Sequence, residues 1–149
     1  MYEYFSELYQ NFDLFFKSIG FKRKGKIWIL ENDNYIIIFK LRKHTIRETV
    51  FVDYGVLLKF IDLPLAFGEL DWHLTGGMGE FDKKLFQMGI KKDDDYKHYF
   101  PYILNTVIPE IQRVADIIFN KSNFRLEVYK YVGPCSGKAI RSLEAYLGI

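Results

Sequence analysis

Ile27-Trp28-Ile29-Leu30, Tyr35-Ile36-Ile37-Ile38-Phe39-Lys40-Leu41-Arg42 and Val50-Phe51-Val52-Asp53-Tyr54-Gly55-Val56-Leu57-Leu58-Lys59-Phe60 are three apolar runs, and their reading decides the fold. Glu31-Asn32-Asp33-Asn34 separates the first two with residues that bond their own main chain and tolerate turns. A polar segment from Lys43 to Glu48 separates the second from the third. In the third run Val50, Val52, Tyr54, Val56, Leu58 and Phe60 share one face, opposite Phe51, Asp53, Gly55, Leu57 and Lys59. Period-two alternation of this kind describes a strand with one buried and one partly wet face, as in an antiparallel meander. The stretch 26–60 is therefore expected to form the centre of a sheet.

Upstream lies a basic turn, Phe21-Lys22-Arg23-Lys24-Gly25-Lys26, and before it an amphipathic segment. Phe5, Leu8, Tyr9, Phe12, Phe15, Phe16 and Ile19 recur at helical spacing, and Gly20 stands where a left-handed cap is wanted. The stripe belongs against the apolar face of the sheet. A membrane-surface helix is excluded by the acidic opposite face of Glu3, Glu7 and Asp13.

Downstream, Asp71 to Thr75 reads as a fourth strand running into Gly76-Gly77-Met78-Gly79, and 82–88 as a short helix ending at Gly89. Lys91-Lys92-Asp93-Asp94-Asp95 reads as a charged loop whose aspartates cap the next helix. Residues 96–119 carry helical spacing through Ile103, Val107, Ile111, Val114 and Ile118. Pro109 predicts a kink, or two helices joined near Ile108. Residues 124–131 alternate like a strand, and a last helix spans Gly137 to Leu147 with Ile140, Leu143 and Leu147 inward and Gly148 as its stop.

The chain has 149 residues, half of them hydrophobic, which suits one globular domain over 1–149 and not a disordered tail. The expected class is α+β: an antiparallel sheet of four or five strands, with an N-terminal helix and C-terminal helices on one face. No apolar run approaches membrane-spanning length, Met1 to Phe5 lacks a basic leader, and Cys135 is the single cysteine. A cytoplasmic location is the expectation. Net charge is +2 but uneven. Lys17 to Arg47 holds nine Lys/Arg against Glu31 and Asp33, whereas Glu48 to Glu110 holds six Lys against eleven Asp/Glu. The basic half offers a face to an acidic partner, although lysines on a hairpin also serve to discourage strand addition.

Three local patterns resemble the bacterial domain of unknown function 4304 family. They are Gly20-Phe21-Lys22-Arg23-Lys24-Gly25 with Trp28 just after a first helix, Val52-Asp53-Tyr54-Gly55-Val56, and His73-Leu74 followed by Gly79-Glu80-Phe81. They cover about the first half of the chain. The resemblance implies an α+β domain and brings no established activity.

Candidate chemistry is sparse. Asp71, His73 and Glu80 are close in sequence, and alternation places Asp71 and His73 on one strand face, where a carboxylate would orient an imidazole for acid–base work. The structural alternative is a histidine satisfied at the sheet edge. His44 and His98 stand in separate polar loops, so no metal site is expected. Gly76-Gly77-Met78-Gly79 lacks the ending of a phosphate-binding loop, and Asp93-Asp94-Asp95 lacks the alternating ligands of a calcium loop. Cys135 precedes a helix but has no identifiable histidine to activate it. Lys22, Arg23, Lys24 and Lys26 are the candidate binding residues.

The leading functional expectation is a non-enzymatic interaction module of immunity or stress type, taking an acidic protein partner, with no cofactor. A small enzyme built on Asp71, His73 and Glu80 is the alternative. A weak nucleic-acid binder using hairpin 22–28 comes third.

Overall fold

The computed structural model describes residues 2–44, 48–61, 73–76, 88–121 and 137–149. Helix α1 (Tyr2–Ser18) is followed by strands β1 (Lys22–Lys24), β2 (Ile27–Glu31), β3 (Tyr35–Lys43), β4 (Thr49–Leu58), β5 (Leu74–Gly76) and β6 (Met88–Lys91). The order β1-β2-β3-β4-β5 is antiparallel throughout, and β6 pairs with the other half of β4's outer edge. The α+β class and the central meander are thus as the sequence predicts. A sixth strand is the addition, and it replaces the expected helix end: Met88 and Gly89 are extended, with Ile90 buried against β4. The rest of that expected helix (82–87) lies outside the described residues, as does the expected strand over 124–131.

Hairpin β2–β3 closes as its turn residues dictate. The Asn32 side-chain oxygen accepts from the backbone N–H groups of Asn34 and Tyr35 at 2.8 and 2.9 Å. At the end of α1, Gly20 adopts φ +94°, a left-handed conformation that any side chain would strain. The Phe21 N–H then reaches back to the Phe16 carbonyl at 2.9 Å.

The main core lies between α1, the later helices and one face of the sheet. Leu8, Phe12 and Phe16 of α1 are wholly buried, and Phe16 packs its ring 4.9 Å from both Trp28 and Phe39. Each such side chain contributes about 1.5–3 kcal/mol of transfer free energy before ordering is subtracted. Packing, not helix propensity, therefore anchors α1.

A 3-10 turn (Tyr96–His98), helix α2 (Tyr99–Tyr102), a π-helical stretch (Ile103–Val107) and α3 (Ile108–Phe119) follow one another without interruption. Asp95 caps the first turn through the Lys97 N–H, so the expected acidic cap is found. The expected join near Ile108 is found: the path passes from the π-helical stretch into α3 at Ile108, one residue before Pro109. Its ring cannot donate and would crowd the carbonyl four residues earlier. The preceding turn widens instead, with the Ile108 N–H bonding the Ile103 carbonyl while Ile108 keeps helical torsions of −62° and −47°. Ile103, Val107, Ile111, Val114, Ala115 and Ile118 all join the main core. Helix α4 (Gly137–Leu147) adds Leu143 and Leu147 and stops at Gly148, with φ +76°.

The second face of the sheet departs from the expected wet surface. Ile36, Ile38 and Leu57 form a separate buried cluster there, flanked by Ile27 and Ile29. Asp53 is fully buried on the same face, where it holds Arg42 through Nε at 2.7 Å and through a terminal nitrogen at 3.4 Å. The physical reason is visible in β3, whose first five residues are apolar without alternation, the pattern of a strand covered on both sides.

Candidate functional site

His73 is where sequence reasoning places acid–base chemistry, and the structure gives it another task. Its ring is buried at 2 % exposure beside the end of β4. The Leu58 N–H donates to His73 Nδ1 at 2.8 Å, and the His73 N–H donates to the Val56 carbonyl at 2.9 Å. Because a backbone N–H only donates, Nδ1 must present its lone pair, and the neutral ring carries its proton on Nε2. The imidazole thus continues the β4 ladder past the point where β5 begins. Asp71 and Glu80 lie outside the described residues, as do Cys135 and Gly77 to Gly79; Gly76 ends β5.

The other histidines have separate partners. His44 sets its ring edge-on to Phe51 at 6.3 Å, and His98 Nδ1 lies 2.5 Å from the Asp95 carbonyl. Among the described residues no three His, Cys, Asp or Glu side chains come together as a metal site.

The basic turn is the more developed surface. Among the described residues β1 is the edge strand: its three residues are exposed and pair only with β2, Lys22 opposite Ile29, Arg23 opposite Trp28 and Lys24 opposite Ile27. The pleat divides the predicted binding set. Lys22 and Lys24 share the face of Ile27 and Ile29 and line a cleft of about 640 Å³ whose rim includes the Lys59–Glu31 ion pair and Asp33. Arg23 turns to the opposite face, where its guanidinium sits 5.0 Å from the Tyr9 ring centre and its Nε donates to the Gly25 carbonyl at 3.0 Å.

A groove of about 780 Å³ opens on that side, between the first half of α1, Lys26 and the end of β3 that projects beyond β2. Arg23, Lys26 and Lys43 line it with Phe5, Tyr9 and Leu41, and Lys40 and Arg42, which belong to the other face of β3, add to its border. The Lys43 ammonium lies 3.8 Å from the Phe5 ring centre. Lys40, Arg42, Lys43 and the two aromatic residues were not singled out as site residues by the sequence. They are contributed by elements separated along the chain, and only the β3 overhang and the docking of α1 bring them together.

Trp28 Nε1–H donates to Asp13 Oδ1 at 2.9 Å, while Lys17 bonds Asp13 Oδ2 at 2.8 Å. These bonds, Lys17's first and Trp28's second, hold the Asp13 carboxyl below its ordinary range. Tyr9 packs 5.0 Å from Trp28, and its buried hydroxyl has no hydrogen-bond partner among the described residues. Burial pushes the Tyr9 phenol up, against the opposing pull of Arg23, so the group remains an O–H donor.

In comparison with known proteins, no family model, curated protein or solved structure matches the chain. Among the described residues no helix is long and apolar enough to cross a membrane.

Proposed function

We propose that the protein is a non-enzymatic interaction module that receives an acidic protein surface on the β1–β2 hairpin, through Lys22, Arg23, Lys24 and Lys26. The observation that carries this reading is the exposure of three successive cations on an edge strand, with clefts on both of its faces. Charged edge strands guard against unwanted pairing, and the same exposed row gives a complementary surface its register and speeds encounter. The enzyme alternative loses support because His73 already spends a ring nitrogen on the β4 backbone. The proposal includes a cytoplasmic setting and kinship with the domain of unknown function 4304 family, resting on the three sequence patterns given above.

The test is affinity capture from the native host with wild type and with Lys22→Glu/Lys24→Glu, followed by direct titration of the captured protein at two salt concentrations. An acidic partner held by wild type, released by salt and lost at least about tenfold in the reversed variant is expected. Equal capture by both folded proteins removes the hairpin from the interaction.

A further inference from the structure

We infer that the partner meets the hairpin as an extended acidic segment, added antiparallel to the outer edge of β1, with one residue opposite Arg23 and an acidic side chain on either side of that residue. This rests on the hairpin reading above and specifies the form and sequence its partner takes.

The hydrogen-bond pattern of the hairpin comes first. Lys24 and Ile27 pair across a loop of two residues, so they exchange both of their backbone bonds. Alternation makes Lys22 and Ile29 the next bonded pair and leaves Arg23 opposite Trp28 without one. The N–H and C=O of Arg23 therefore point away from β2, to the side where no further strand lies among the described residues. The next groups along that edge are already engaged. The Phe21 N–H is returned to the Phe16 carbonyl at 2.9 Å, and the Gly25 carbonyl accepts from Arg23 Nε at 3.0 Å. The open edge is one residue wide, so an added strand has a single register.

Charge then selects the occupant. Lys22, Arg23 and Lys24 are all exposed. A second copy docked by the same edge would set Arg23 against Arg23 and Lys22 against Lys24, and like charges directly opposite destabilise a strand pair. An acidic strand reverses that sign. The pleat adds a pattern. Side chains flanking the central residue fall on the face of Lys22 and Lys24, at the cleft of about 640 Å³. Of the acidic groups there, Glu31 is held by Lys59, and Asp33 belongs to the turn past the Lys22 end. The central side chain falls on the opposite face, where the Arg23 guanidinium already lies over the Tyr9 ring. The recognised pattern is thus acidic–any–acidic in an extended chain, with main-chain bonds setting register and alternate side chains giving specificity.

The experiment is an anisotropy titration of the full chain into a labelled peptide, Thr-Val-Glu-Thr-Glu-Val-Thr, at about 0.15 M salt. Two derivatives carry a methyl on one backbone nitrogen, either that of the central Thr, which faces Arg23, or that of the Glu before it, which faces away. Saturable binding is expected, weakened about fivefold or more by the methyl at Thr and changed by less than about twofold by the methyl at Glu. On the protein, Arg23→Pro is compared with Arg23→Ala. Both lose the guanidinium, only proline loses the outward N–H, and an edge position whose N–H serves no ladder tolerates proline. Arg23→Pro should bind about fivefold more weakly than Arg23→Ala, with thermal unfolding checking that both fold; should Arg23→Pro not fold, the methylated peptides decide alone. Equal affinity of the two methylated peptides, equal binding by the two folded variants, no saturable binding at about 1 mM peptide, or tighter binding of oligothymidylate overturns the proposal. So does a dimer that Arg23→Pro abolishes, which assigns the edge to a second copy. Capture from the native host that survives Lys22→Glu/Lys24→Glu removes the hairpin reading and this proposal with it. Capture lost in that variant, with both methylated peptides binding alike, leaves the hairpin reading in place and removes strand addition alone.

Discussion

The two ends of the β3–β4 ladder make opposite use of polar side chains. At the Leu58 end, His73 is sealed from solvent and bonded to the backbone at both its main-chain N–H and its ring. At the Val50 end, Arg42 is held on the Asp53 face of the sheet while Lys43 crosses to the Phe5 ring of α1. A histidine suggests reactivity and a lysine row suggests mere solvation, yet here the histidine is structural and the cations of β3 are spent on both faces of the strand. Residue type alone misleads because a buried backbone donor must be met by something, and in β4 an imidazole meets it.

The comparison breaks most visibly at its sealed end. His73→Ala removes the acceptor of the Leu58 N–H and leaves a void, so it should cost about 3 kcal/mol in urea unfolding. A loss within about 0.5 kcal/mol would show that the ring is dispensable there.

Asp13, between the two regimes, should show an intermediate effect that depends on pH. Its folded carboxyl titrates below the ordinary value of 3.8. Its contribution is therefore present above that value and disappears as pH falls through the lower folded one. Asp13→Asn should remove this acid limb and lower neutral-pH stability by less than about 1 kcal/mol. Urea midpoints for both proteins from about pH 7 to about pH 3 check it, and parallel curves would contradict it.

The open end should respond least in stability. Lys26→Ala is expected to stay within about 0.5 kcal/mol of wild type, since Lys26 is exposed. A larger loss in the same unfolding assay would make Lys26 part of the scaffold.

Much of the scaffold was legible. The stripe of α1, the runs of β2, β3 and β4, the Asp95 cap and the Gly137–Leu147 helix all follow from spacing and turn chemistry. The burial of the second sheet face was also written in Tyr35-Ile36-Ile37-Ile38-Phe39, but alternation in the neighbouring strand suggested a wet surface. β6 was hidden because four residues containing Gly89 carry too little pattern to separate strand from helix end. The groove was legible only in its Arg23 and Lys26 corner. Its remaining parts depend on how far β3 outruns β2 and where α1 docks, and no local pattern encodes a distance between elements.

The wide turn at Ile103–Val107 bears on how this chain tolerates changes of length. A π turn holds one residue more than the α turn it replaces. Deleting a single residue there can be absorbed by tightening the turn, so Ile111, Val114 and Ile118 keep their orientation toward the core. The same deletion elsewhere in α3 would rotate everything after it by about 100°, from 3.6 residues per turn. Homologues one residue shorter in this helix should therefore carry their gap between Ile103 and Val107, and should have lost the proline that follows it.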